Sequence, residues 1–251
     1  MRYKITLSYS GAPFAGWQRQ DNAKTVQGTL EEALKTLLGV ETTLTGAGRT
    51  DAGVNAENYV AHFDLPFAGP GECPLLQDAE RLCYKMNAIL PHEIVVHSIC
   101  PVSDDFHARF GAVSREYKYY IHRGKNPFLD AFSWQCRFPL DVERMNEACQ
   151  YLAGVHDCSC FEKSGGSSHT PVCEIFEAFW SEEAPGRLVF TVRANRFLRN
   201  MVRAIVGTMV DIGRGRRTPQ YIAEILDGRG TRSDAGQSVP AKALFLHEVR
   251  Y

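Results

Sequence analysis

The chain predicts an α+β fold of mainly antiparallel strands, and three observations carry that expectation. Short runs such as Tyr3, Ile5, Leu7 and Tyr9 alternate with Lys4, Thr6 and Ser8, the period of a half-buried strand. Amphipathic helical patterns separate these runs while hairpin-like loops join others, the pattern of split βαβ units. No strand passes through Gly-x-Gly-x-x-Gly into a helix, which disfavours a parallel dinucleotide-binding sheet. There is no internal repeat and no low-complexity segment.

The elements follow in order. After the strand at 3–9, "GAPFAGWQRQ" reads as a glycine-punctuated loop. Thr25 caps a helix whose Val26, Leu30, Ala33, Leu34, Leu37 and Leu38 share a face, and Gly39 stops it. A strand over 40–46 leads into the loop "GAGRTDAGV", and "NYVAHFDL" is the strand leaving it. Pro74 opens a helix reaching 88, and "EIVVHSICPV" is the next strand. The second half starts with the long strand "FGAVSREYKYYIHRG". Asp141 then caps a helix with Val142, Met145, Cys149 and Leu152 inward. Strands at 172–182 and 187–195 precede a helix over 197–212, "FLRNMVRAIVGTMVDI". Thr218-Pro219 caps a last helix ending at Gly228, and "LFLHEV" closes the chain. The halves divide near 105, giving domains at 1–105 and 106–251.

A length of 251 residues, 44% hydrophobic and 23% charged, describes an ordinary soluble globular protein. No apolar run is long enough to span a bilayer, and the alternating start is not a signal-peptide core. A cytoplasmic protein without a membrane partner is expected. The formal net charge of −1 hides an asymmetry. Residues 1–105 hold 8 Lys and Arg against 13 Asp and Glu, whereas residues 106–251 hold 20 against 16. Within 193–217, Arg193, Arg196, Arg199, Arg203, Arg214, Arg216 and Arg217 face Asp211 alone. Arginine without lysine favours bidentate phosphate or carboxylate recognition, although charge runs are also common on solvated helix faces.

Eight cysteines in a cytosolic chain predict free, packed thiols. The cluster His156, Cys158, Cys160, His169 and Cys173 lacks the paired Cys-x-x-Cys knuckles of a closed zinc site. Neither metal nor cofactor is expected.

The loop "GAGRTDAGV" places Arg49 two residues before Asp51, with Gly46, Gly48 and Gly53 around them. One reading is a tight turn whose Asp satisfies its own backbone. The other is a catalytic carboxylate: Asp has a reference pKa of roughly 3.9, and a neighbouring Arg lowers it further. On a helix over 197–212, Arg196, Asn200 and Arg203 would share one face suited to phosphates. Phe14 and Trp17 with Arg19 are expected as exposed loop residues able to stack on unpaired bases.

"GWQRQ", "GRTDAGV", "DDFHARF", "REYKYYI" and "NRFLRNMVRAIVG" together resemble, in order and spacing, the bacterial tRNA pseudouridine synthase A family over nearly the full chain. The resemblance implies an RNA-modifying isomerase without cofactor. It detaches uracil from C1′ of a uridine, turns the base and rejoins it through C5, at positions 38, 39 and 40 of the tRNA anticodon arm. It also implies two ferredoxin-like (RRM-like) halves, their strands forming a continuous sheet around a central cleft, in a homodimer acting on tRNA and not on DNA.

By that resemblance, Asp51 is the catalytic aspartate and Arg49 the arginine paired with it. Tyr117 matches the tyrosine lying against the target base, and Arg203 the arginine that closes on the carboxylate from the second half. Trp17, Arg19, Arg196 and Asn200 fall on the implied RNA surface. The carboxylate's route stays open among attack at C1′, addition at C6 and removal of the 2′ proton, with a phenol as relay for the C5 proton.

The chain departs from the family pattern at Asn55, where His is usual, and at Ser10, where Asp is usual. It departs again at "HDCSCF" and at "KALFL". Two other functions compete: a synthase of the same family with a different RNA target, and an RNA-binding protein without turnover.

Overall fold

Strand β1 (Arg2–Tyr9) buries Tyr3, Ile5, Leu7 and Tyr9 on one face and leaves the alternate residues half-buried. It lies between β3 (Asn55–Asp64) and β4 (Ile94–Val102), antiparallel to both, with Ile5 opposite Ala61 and Ile99. The structure is a computed structural model and describes residues 1–66, 78–166 and 170–251. It divides into two compact units, Met1–Val113 with Leu246–Tyr251, and Ser114–Phe245. The fold is mixed α+β with mainly antiparallel strands.

In the first unit α1 (Val26–Leu38) begins where Thr25 Oγ1 accepts the Gly28 amide at 3.2 Å, and ends at Gly39 (φ 72°). Its buried residues include Val26, Leu30, Ala33, Leu34 and Leu38, the face its apolar spacing dictates. The strand expected over 40–46 shrinks to β2 (Thr45–Gly46), antiparallel to the Ala61–His62 end of β3. A side chain of α1 takes the place of a strand partner: the carboxylate of buried Glu31 accepts the Leu44 amide at 2.9 Å and the Gln27 side chain at 2.9 Å. Helix α2 (Ala79–Ile89) is capped by Asp78, whose side chain accepts the Arg81 amide, and packs Leu82 and Met86 inward beside β4. Pro74, the expected opener of this helix, lies outside the described residues. The strand order is β4-β1-β3, with β2 also on β3.

The second unit orders β5 (Ser114–His122), β9 (Arg187–Ala194), β8 (Val172–Ala184) and β7 (Gly154–Asp157) side by side, all antiparallel. A short β6 (Trp134–Gln135) pairs parallel with Ile121–His122. Helix α3 (Val142–Cys149) starts at Asp141 as its spacing predicts, and buries Met145, Ala148 and Cys149. It packs on α4 (Met201–Gly213), which is buried on most of its circumference. The last helix, α5 (Tyr221–Ile225), is shorter than expected and has no side-chain cap. The final strand is β10 (Leu244–Arg250). Among the described residues no helix is long and apolar enough to cross a membrane.

Candidate active site

The Arg49–Asp51 loop joins β2 to β3, and the chain following β1 clasps it. The Trp17 amide donates to the Thr50 carbonyl at 3.2 Å, and the Gly53 amide to the Phe14 carbonyl at 3.3 Å. Asn55 Oδ1 accepts the Gly11 amide at 2.9 Å, and the hydroxyls of Tyr9 and Thr50 share a bond of 2.8 Å. Within the loop the Val54 amide reaches the Asp51 carbonyl at 3.1 Å, and the Tyr59 hydroxyl donates to the Gly48 carbonyl. Two glycines make the approach possible. A Cβ on Gly16, at φ 97°, would stand 2.5 Å from the Thr50 carbonyl oxygen, and one on Gly11 would stand 2.1 Å from that of Val54. Only glycine fits either position.

Asp51 emerges half-buried on this fixed backbone, and Arg49 is exposed. The departure at Asn55 is explained here, because the side-chain oxygen serves as a buried acceptor for Gly11. Phe14 and Trp17 overturn their expected exposure: each is 3% exposed. The Trp17 ring stacks on Tyr59 at 4.1 Å between centroids, with Tyr9 at 6.2 Å, and so forms the floor of the loop instead of a stacking surface for bases. Burial of a large ring beneath a loop with few regular hydrogen bonds supplies the apolar area that holds it. Arg19 remains on the surface, with Nη1 on the Glu31 carboxylate at 3.1 Å.

In the second unit Tyr117 lies on β5 opposite Val192, largely buried, with Phe197 meeting its ring edge-on at 5.0 Å. Two residues along the same face, the Tyr119 hydroxyl donates to the Pro240 carbonyl at 3.0 Å, and burial pushes that phenol's pKa upward. Arg203, on the first turn of α4, donates from Nε to the Val239 carbonyl at 2.8 Å and accepts the Val239 amide on its own carbonyl at 3.3 Å.

Arg196 and Asn200 do not share a helical face with Arg203. Helix α4 starts at Met201, because Asn200 adopts the left-handed conformation (φ 63°) and its side-chain Nδ2 donates to Ser238 Oγ at 2.5 Å. Residues 195–200 therefore form a turn, with Arg196 half-buried and Arg199 exposed.

Much of the arginine run is engaged within the protein. Arg193 pairs with Glu177 and lies over Phe176, and Arg214 lies 3.5 Å from the Phe138 ring centre. Arg216 pairs with Asp211, Arg217 covers Tyr221, and Arg199 donates to the Ser164 carbonyl. In the cysteine cluster, His156 pairs with Asp227, and the buried thiols of Cys158 and Cys173 donate to the carbonyls of His156 and Pro171 at 3.7 and 3.8 Å. His169 lies outside the described residues.

Reasoning from sequence missed the segment 231–240, which lies along α4. Its Gly236 amide donates to Thr208 Oγ1 at 2.8 Å, and Arg232 holds the Gly236 carbonyl and Ser238 Oγ at 3.0 and 2.9 Å. It delivers the carbonyl that steers Arg203. Nothing in its composition beyond a single glycine signals this.

The chain aligns along its full length with proteins of known assignment. A protein of Porphyromonas gingivalis called tRNA pseudouridine synthase A is 44% identical over 251 residues, covering 100% of this chain and 97% of its own. Its counterpart in Parabacteroides distasonis is 46% identical over 250 residues, covering 100% and 96%. The chain belongs to the tRNA pseudouridine synthase family. The family description "tRNA pseudouridine synthase" also matches residues 148–251 directly. A more distant relative from Streptococcus pneumoniae, again a tRNA pseudouridine synthase A, retains 41% identity over 254 residues, covering 100% of this chain and 98% of its own.

Proposed function

We propose that this chain converts uridine to pseudouridine at positions 38, 39 and 40 of the tRNA anticodon arm, with Asp51 as the catalytic carboxylate and no cofactor. As a tRNA pseudouridine synthase it is an isomerase. The N1–C1′ bond breaks, the base turns, and a C5–C1′ bond forms while C5 loses a proton and N1 gains one. The observation that carries the reading is the clasp: a half-buried aspartate on a loop whose backbone is fastened at Phe14, Trp17, Tyr59 and Val60, with the Asn55 side chain fastened to Gly11. A turn that merely reverses the chain needs no such support. A reacting carboxylate gains from it, because fixed geometry lowers the reorganisation needed in the transition state.

In this reading Arg49 supplies the positive charge beside Asp51. Tyr117 lies against the target base, its phenol relaying the C5 proton. Arg203, steered by Val239, completes the charge balance of the carboxylate. Arg19 and Arg196 contact phosphates, and Asn200 holds the turn that presents Arg196. The half at 1–105 carries the aspartate loop, and the half at 106–251 the basic RNA-binding segment. Both halves read as ferredoxin-like, joined in a continuous sheet around a central cleft. The chain order β1-α1-β2-β3-α2-β4 with spatial order β4-β1-β3 and β2 on β3 supports this for the first half. The working form is a cytoplasmic homodimer.

Release of tritium from C5-labelled uridine in a tRNA transcript tests the reading. Asp51→Asn keeps the shape and removes the charge, so release should stop while filter binding stays within a few-fold, phosphate contacts dominating affinity. Release at the parental rate from this variant would end the assignment of Asp51.

A further inference from the structure

The motif "DDFHARF", residues 104–110, has no part in the chemistry above, yet the protein fastens it closely. Arg2 holds Asp64 with one side of its guanidinium and donates from Nη1 to the carbonyls of Asp104 and Phe106 at 2.7 and 2.8 Å. Buried His62 accepts the Ala108 amide on Nδ1 at 3.1 Å, and the Tyr251 hydroxyl donates to the Ala108 carbonyl at 2.7 Å. His107 Nδ1 accepts the amides of both Arg109 and Phe110 at 3.1 Å, and the Gly111 amide closes on the His107 carbonyl at 2.8 Å. The rings of Phe106 and His107 meet His62 at 6.1 and 4.9 Å. A segment without regular secondary structure is thus held by β1, β3 and the chain's last residue.

What this support displays is an aromatic ring in water. Phe110 is 77% exposed, and the Arg109 guanidinium lies 5.4 Å from its ring centre. Exposing a phenylalanine forgoes the stabilisation its burial brings, about 1.5–3 kcal/mol. Nearby Asp104, Asp105 and Arg109 are exposed and charged, so the ring does not belong to a broad apolar face of the kind that seats another protein. A ring prepositioned by the His107 ring at 4.5 Å, exposed over most of its surface and with a cation against it, matches an unpaired nucleobase, which offers a flat π-surface on a polyanionic strand.

We propose that Phe110, with Arg109, is a stacking contact for an unpaired base of the RNA substrate. The proposal rests on the tRNA reading above. The rigid turn supplies preorganisation, so little conformational entropy is lost when the base docks.

The test uses the full chain and two RNAs, an anticodon stem-loop and the same strand closed into a continuous duplex by its complement. Phe110→Ala should weaken stem-loop binding about 5- to 100-fold and leave duplex binding and the thermal midpoint unchanged. Phe110→Trp should restore stem-loop affinity, whereas Phe110→Leu should not. Parental affinity in Phe110→Ala, equal rescue by Leu and Trp, or equal losses on both RNAs would each overturn the stacking contact. A change in sedimentation with unchanged RNA affinity would assign the ring to a contact between copies and overturn it as well. Parental tritium release and its loss in Asp51→Asn are scored separately, so failure at Phe110 is distinguishable from failure of the catalytic reading.

Discussion

Acidification should weaken the first unit through His62, and the size of the effect follows from its surroundings. The imidazole is 4% exposed and uses Nδ1 to accept the Ala108 amide, a role open only to the neutral ring. Burial, and then the charges of Arg2 and His107, lower its pKa from 6.5 to about 4, against a smaller upward pull from Asp64. In the unfolded chain the ring regains its ordinary value. Above pH 6.5 it is neutral in both states and its full contribution to stability is present. As the pH falls from 6.5 towards 4 the unfolded chain takes up a proton that the folded one resists, and stability drops by up to about 1.4 kcal/mol per pH unit. The loss totals about 3 kcal/mol once the pH lies below the folded pKa, a large share of a typical domain's stability. Asp64, held below the ordinary carboxylate range by its bond to Arg2, titrates beneath this window. Proton NMR of the His62 ring, read with hydrogen exchange at the Ala108 amide, checks the assignment. The ring should titrate near pH 4, and Ala108 should lose protection with the same midpoint. A ring titrating at its ordinary value, with Ala108 protected throughout, would refute it.

Four further outcomes are expected. Tyr117→Phe should preserve tRNA binding and thermal stability while losing most tritium release, because only the phenol proton relay is removed. Gly16→Ala adds a side chain at φ 97° against the Thr50 carbonyl, so it should cost about 1–2 kcal/mol in backbone strain alone, read by denaturant unfolding. Turnover should fall as Thr50 displaces Asp51, and a variant with parental stability and rate would show that the clasp is slack. Arg196→Ala and Arg199→Ala should each flatten log affinity against log salt by about one unit, and unchanged slopes would return these residues to an ordinary solvated surface. Sedimentation at micromolar concentration should show twice the mass of one chain, and a monomer alone would reject the dimer.

The sequence made legible what is decided locally. Thr25 and Asp141 each accept an amide three residues on, and Gly39 ends α1, because capping depends on neighbours within one turn. The loop around Asp51 announced itself through its glycines, whose packing demands are written in single positions. What escaped was set by distant partners. Asn200 leaves the helix that its neighbours' periodicity predicts because Ser238, 38 residues later, takes its side-chain Nδ2. Residues 40–44 fail to pair as a strand because Glu31 captures Leu44. Trp17 is buried because Tyr59 lies beside it, a contact that no window of local sequence contains.

The clasp between the chain after β1 and the Asp51 loop also bears on how the site fails. The amides of Gly11, Trp17 and Gly53 are bonded between the two segments, and the rings of Tyr9, Trp17 and Tyr59 underlie both. Neither segment can open while the other stays ordered. Cooperative opening units of this kind exchange their amides together and at a free energy close to that of the elements anchoring them. The loop is therefore not a fraying appendage of β3 but part of the same unit as β1. Molecules with an intact fold and a half-formed aspartate loop should be scarce, so damage in this region removes protein from the active pool instead of lowering the rate of each molecule.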